Sequence, residues 1–253
     1  MKNLITELEK IKNGRDSFLG CDGGNIESNI WFCGVEFGGT PDEMNTYYKD
    51  HIQFYKKDNL QIPFRENYKG KFMQSKFDRY LTAMYLVLLE KLDFDKTIDS
   101  SKIDEFLANI LYHKNSKSFK LNLFPIAKKD VSWDKEIEEK LNIERNQYYS
   151  SIFNQRAKFF KKITSLYSPK TIICFSPANH SDYFIRAFFN KKESLKFTYD
   201  YFIDRNNKEH LIKIIESSRT KYLIVPFLGM GNITNYEDVI KLSNFLNDNY
   251  INH

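Results

Sequence analysis

The chain has 253 residues, of which 42% are hydrophobic and 16% aromatic, enough to bury a sizeable core in one large α/β domain rather than two. Its formal charge of +5 arises from 38 basic and 33 acidic residues mixed along the sequence, which argues against a binder driven by bulk electrostatics but leaves room for a local basic face. Cys21, Cys33 and Cys174 fit no metal-ligand spacing, no amino-terminal stretch reads as a leader and no apolar run reaches membrane-spanning length, so the expectation is a cytoplasmic monomer with reduced thiols, no metal and no membrane partner.

In chain order, Leu4–Ile11 reads as a helix packed against the domain. Four short apolar runs then alternate with longer helical patterns: Ile30–Cys33, Phe119–Phe124, Thr171–Phe175 and Tyr222–Leu228. Each is too short for a core helix and rich in β-branched or aromatic residues, as expected of strands buried on both faces. Between them, Gln74–Lys91 places Phe77, Leu81, Met84, Tyr85, Leu88 and Leu92 at helical spacing, and residues 143–167 do the same with Ile152, Phe153, Phe159, Phe160 and Ile163. Ser181–Asn190 and Tyr236–Leu246 follow plausible caps, the latter Thr234 or Asn235. The rhythm predicts a three-layer α/β sandwich with a mainly parallel four-stranded central sheet and helices on both faces. Two stretches interrupt it. Residues 40–71 form a long connection in which Tyr47, Tyr48, Phe54, Tyr55, Phe64 and Tyr68 are interleaved with lysines, and residues 94–117 read as an insertion with a short helix around 103–112. The first suits either a base-stacking, phosphate-tracking loop or packing onto the body of the domain.

The first strand runs straight into Gly34-Val35-Glu36-Phe37-Gly38-Gly39, presenting a carboxylate among glycines beyond a strand's carboxyl end, where α/β sheets bind ligands. An ordinary glycine turn with a solvated Glu36 is the competing reading. With this motif, the order helix, Leu121-Asn122-Leu123-Phe124-Pro125, and a late strand entering a Pro/Gly/Asn loop resembles the uracil-DNA glycosylase superfamily over most of residues 30–247. The resemblance implies Glu36 as the residue that orients water, Phe37 as an aromatic stacking on a flipped base, and Asn122 as the reader of the base edge, with Gly34, Gly38 and Phe124 beside them. It also implies DNA as partner and no cofactor.

The late loop departs from the family pattern. It reads Val225-Pro226-Phe227-Leu228-Gly229-Met230-Gly231-Asn232, without the histidine that stabilises the departing base. His180, in the loop after the third strand, is a candidate replacement or else a surface or capping residue. Gly229 and Gly231 offer backbone N–H groups for a phosphate or departing base, with Asn232 beside them, or make a plain strand-to-helix connection. Three cysteines cannot supply the four ligands of the iron–sulfur cluster found in some branches, although Gly70-Lys71-Phe72 resembles the region after the first motif there.

N-glycosidic hydrolysis needs an extruded nucleotide, a carboxylate to orient water or stabilise an oxocarbenium-like sugar, and donors for the charge on the leaving base. Glu36 suits the second requirement, and the Asn122 amide, donor and acceptor at once, suits discrimination among bases. The alternatives are a binding module of the same fold without the chemistry, and a small-molecule hydrolase or nucleotide-binding protein. Against the latter, the chain lacks G-x-x-x-x-G-K-[ST], G-x-S-x-G and G-x-G-x-x-G motifs.

Overall fold

The computed structural model describes residues 2–36, 38–66, 70–92, 99–126, 138–139, 141, 143–177, 180–190, 194–229 and 232–251. Phe37 and Gly231 therefore lie outside the described residues. The strands are β1 (Gly23–Gly24), β2 (Ile30–Gly34), β3 (Gln53–Lys57), β4 (Leu60–Phe64), β5 (Ser118–Asn122), β6 (Thr171–Ser176), β7 (Phe197–Ile203), β8 (Glu209–Glu216) and β9 (Lys221–Pro226). The helices are α1 (Lys2–Lys12), α2 (Pro41–His51), α3 (Lys76–Glu90), α4 (Ser100–Asn109), α5 (Phe153–Tyr167), α6 (Ser181–Phe188) and α7 (Tyr236–Leu246). Among the described residues no helix is long and apolar enough to cross a membrane.

The sheet is mixed and has seven strands in the order β1-β5-β2-β6-β9-β8-β7, which corrects the expected four-stranded, mainly parallel sheet. The four expected strands form its middle, where β5, β2, β6 and β9 run parallel. Antiparallel strands extend both sides: β1 beside β5, and the β7–β8 hairpin beside β9. The hairpin escapes a search for continuous apolar runs because its outer strand alternates, with Phe202 buried and Tyr201 and Ile203 exposed.

Successive strand residues point to opposite faces, and each face has its own core. Trp31, Cys33, Phe119, Leu121, Ile172 and Cys174 pack with α1, α5 and α6, whereas Ile30, Phe32, Ile173, Phe175, Leu223 and Val225 pack with α3, α4 and α7. Burial pushes the Cys33 thiol well above the usual cysteine range, and its neighbour Cys174 adds to the effect, so this sulfur is an apolar packing group.

The long connection 40–71 is more regular than its aromatic, lysine-rich composition suggests. Thr40 and Glu43 form a reciprocal capping box, with Pro41 in the first turn, and together they start α2. Asp58 and Asn59, at φ 48° and 62°, make the tight turn joining β3 to β4. The β4 backbone then lies against Gly23, where the Pro63 carbonyl group occupies the place of any added Cβ, so only glycine fits there. Phe54 is 50% exposed, but Tyr47, Ile62 and Phe64 are buried, so much of this segment is packed onto the domain. The short insertion helix, α4, begins with an Asp99 cap and ends three residues earlier than expected.

Candidate functional site

β6 leads directly into α6, whereas β2 is followed by α2 and the β3–β4 hairpin, with Val35, Met44, Leu60 and Ile62 in the core that α6 also covers, before the chain reaches α3 on the other face. β2 and β6 pair in parallel and end at the same edge of the sheet, and the space beyond the carboxyl ends of parallel strands is the usual ligand position in open α/β sheets. Glu36 follows β2 and His180 follows β6, so the two sequence-derived candidates lie at this edge. The β2 loop is tied to its other neighbour: Leu123 N–H donates to the Gly34 carbonyl at 3.0 Å and Phe124 N–H to the Val35 carbonyl at 2.8 Å.

Glu36 is half-buried. It lies close enough to Tyr148 to act on it: burial first, and then the Glu36 charge, push the Tyr148 phenol well above the usual tyrosine range. Tyr148 accepts the Ile126 N–H at 3.2 Å and belongs to an aromatic wall centred on Phe124. Phe124 has ring centroids of Tyr148, Tyr149, Phe153 and Tyr183 within 5.6 Å, and Tyr183 in turn lies 5.8 Å from the His180 ring. Phe124 is only 1% exposed, so it does not present its face to a ligand, which corrects the expectation of a direct substrate contact. His180 is half-buried at the start of α6 and its side chain makes no capping bond. It holds the N-cap position of α6, as the capping reading expects, without a side-chain bond to the helix.

Asn122 is brought to the same edge but turned inward. It is fully buried, and its Nδ2 donates to the Gly20 carbonyl at 2.5 Å and reaches Asp22 Oδ2 at 3.4 Å. The donor half of the expected base reader is therefore engaged within the fold. Its Oδ1 has no hydrogen-bond partner among the described residues. From α5, the buried Arg156 holds this strand end in place, donating to the Asn122 carbonyl at 2.6 Å and the Leu123 carbonyl at 2.9 Å.

The late loop is also turned on itself. Gly229 has φ 124° and its N–H donates to the Ile233 carbonyl at 2.6 Å, while Asn232 N–H donates to the Gly229 carbonyl at 3.1 Å. The Gly229 N–H is thus engaged within the loop and not free for a phosphate, which corrects that expectation for Gly229, while Gly231 lies outside the described residues. Gly38 is exposed, with nothing within 4 Å of an added Cβ.

Beneath α2 and α3 lies a polar cluster that the sequence conceals inside an apolar run. Lys120, at 5% exposure in the middle of β5, pairs with Asp22, which also accepts the Tyr47 hydroxyl at 2.9 Å. The buried Arg65 guanidinium lies 3.8 Å from the centre of the Tyr112 ring, and the Tyr112 hydroxyl donates to Asp78 at 2.5 Å. Burial would raise the Asp22 carboxyl, but Lys120 and Arg65 outweigh it and hold the group below the usual carboxylate range. A lysine within a strand whose every residue is buried is the one sign of this cluster in the sequence. A cleft of about 450 Å³ is lined by Lys12, Glu138, Ile143, Glu144 and Gln147, none of them a candidate residue. Among the described residues no group of three or more His, Cys, Asp or Glu side chains is placed to hold a metal ion. No known protein family, no curated protein and no solved structure matches the chain.

Proposed function

We propose that this chain acts on nucleic acid, hydrolysing the N-glycosidic bond of a modified or deaminated base extruded into a crevice beyond the carboxyl ends of β2 and β6. The observation that carries the reading is the position of Glu36, half-buried beyond the carboxyl end of β2 and beside a buried phenol. A carboxylate in such partly dry surroundings can orient a water and stabilise positive charge developing on the sugar. His180, from the neighbouring loop, serves the departing base as donor. Asn122, fully buried with its Nδ2 held by Gly20 and its Oδ1 facing Gly34, braces the end of β5 and does not itself meet the base, which corrects its expected role as base reader.

One observation favours a second reading, a binding module of the same architecture without chemistry. The late loop carries no histidine and spends its Gly229 N–H on Ile233, so it offers little to a leaving group. The two readings separate when the protein is incubated with single- and double-stranded oligonucleotides containing uracil, hypoxanthine, oxidised and bulky modified bases. Abasic sites that fail to form with Glu36→Gln support the hydrolase. Salt-sensitive binding without any base release supports the module, and the absence of both binding and release removes nucleic acid as the ligand.

A further inference from the structure

Of the large apolar side chains that stand exposed among the described residues, five of seven belong to one hairpin: Phe197, Tyr199, Tyr201, Ile203 and Leu211. They share one face of β7 and β8. Tyr199 stands opposite Lys213, Tyr201 opposite Leu211, and Phe197 opposite Ile215. Ile215 is fully buried in the core under α5 and α6, so the helical layer covers the inner end of this face and stops there. The outer part is bare, with Tyr199 at 54% and Tyr201 at 55% exposure. Concentration of exposed rings on one surface, in place of the usual scatter, marks an interaction site.

We infer that this face is a stacking platform for single-stranded nucleic acid leading toward the crevice, an inference that rests on the function proposed above. Three observations select this occupant. The rings of Phe197 and Tyr199 are nearly parallel, 16° apart with centroids at 6.3 Å. Residues two apart on a strand stand about 6.7 Å apart, close to twice the ~3.4 Å stacking distance, so the step between neighbouring rings matches one interleaved base. The second observation is charge. Lys213 lies on the same face and Lys196 is exposed just before β7, whereas nearby acids are engaged elsewhere: Asp200 with Tyr250, Asp204 with His210 and Glu216 with Lys221. Glu209, opposite Ile203, is the acid at the far end of the face. The third is continuity. Lys213 Nζ donates to Ser181 Oγ at 3.0 Å, joining the platform to the loop that carries His180, and Arg186 lies over Tyr183 beyond it. Aromatic faces of a sheet recognise single strands by stacking, which tolerates any base, while cations track the backbone.

The test is polarisation of a labelled oligothymidylate and of a duplex of equal length, at low and high salt, with the full chain. The wild type should bind the single strand more tightly than the duplex. Tyr199→Thr with Tyr201→Thr should weaken single-strand binding about 10- to 100-fold, since each stacked base contributes appreciably to affinity, whereas Phe at both positions should restore it. Lys213→Met should lower the slope of log affinity against log salt by about 0.7. Equal binding by the threonine double variant overturns the platform, and Glu36-dependent base release would then leave the proposed function standing. Failure of the wild type to bind either oligonucleotide overturns the platform, and the proposed function falls with it only if base release is absent as well. A wild-type dimer in sedimentation that the threonine variant renders monomeric overturns the platform in favour of a contact between two copies.

Discussion

The side-chain oxygen of Asn122 lies 2.5 Å from where a Cβ on Gly34 would stand, so the last residue of β2 is glycine because the last residue of β5 is asparagine. Asn122 cannot swing aside cheaply, because its Nδ2 is held by Gly20 and its backbone carbonyl by Arg156. Gly34→Ala should therefore lose about 1–3 kcal/mol of stability, the usual cost of forcing an extra methyl into a packed site. Urea unfolding monitored by tryptophan fluorescence checks this, and an unchanged midpoint would show that the amide has room to move.

Glu36→Gln keeps the size of the side chain and removes its charge. Positioned carboxylates acting on water contribute about 10²- to 10⁴-fold, so base release should fall by that factor while the melting temperature stays put. Single-turnover assays on whichever oligonucleotide supports release provide the measurement. Release at the wild-type rate would dismiss Glu36 as the catalytic group.

The parallel middle of the sheet is legible in the sequence because strands buried on both faces are written as short apolar runs, and the helices between them keep a clear period. The β7–β8 hairpin is not, since Tyr199 and Tyr201 put rings on the solvent side and blur the contrast that alternation normally shows. The α2–β3–β4 segment does carry local signs in Thr40-Pro41-Asp42-Glu43 and Asp58-Asn59, overshadowed by its aromatic and lysine content. Glu36 and His180 can be assigned to one edge because position after a strand is a topological fact. The inward turn of Asn122 cannot, because it depends on Gly20, about a hundred residues earlier, coming to rest against β5.

Lys120→Met should be among the most destabilising single changes in this chain. It leaves Asp22 buried with its nearest cation gone, and breaking such a pair typically costs about 3–5 kcal/mol, with Arg65 placing the loss toward the lower end. The pH dependence should move as well. Asp22 titrates lower in the folded state than in the unfolded chain, so its stabilisation is complete above the unfolded value near 4 and is lost as pH falls through the folded one. Without Lys120 the folded value rises, and acid unfolding followed by circular dichroism should begin at higher pH. The same onset in both proteins would contradict the pairing.

At the tip of the β7–β8 hairpin, Asp204 accepts the N–H groups of Asn206 at 2.8 Å and Lys208 at 3.0 Å and meets His210 at 3.0 Å. The bond to His210, with these backbone donors, holds the Asp204 carboxyl down to about 2. Its folded value therefore lies below the unfolded one, so its contribution is present above about pH 4 and fades as pH drops toward 2. Asp204→Asn removes that dependence along with the charge. Hydrogen exchange should show faster opening of the β7 and β8 amides in the variant at neutral pH, with little change in the parallel strands. The turn is local, and the parallel strands are held by two buried cores. Equal protection of the hairpin in both proteins would mean that strand pairing alone, without the aspartate, orders the surface that carries Tyr199 and Tyr201.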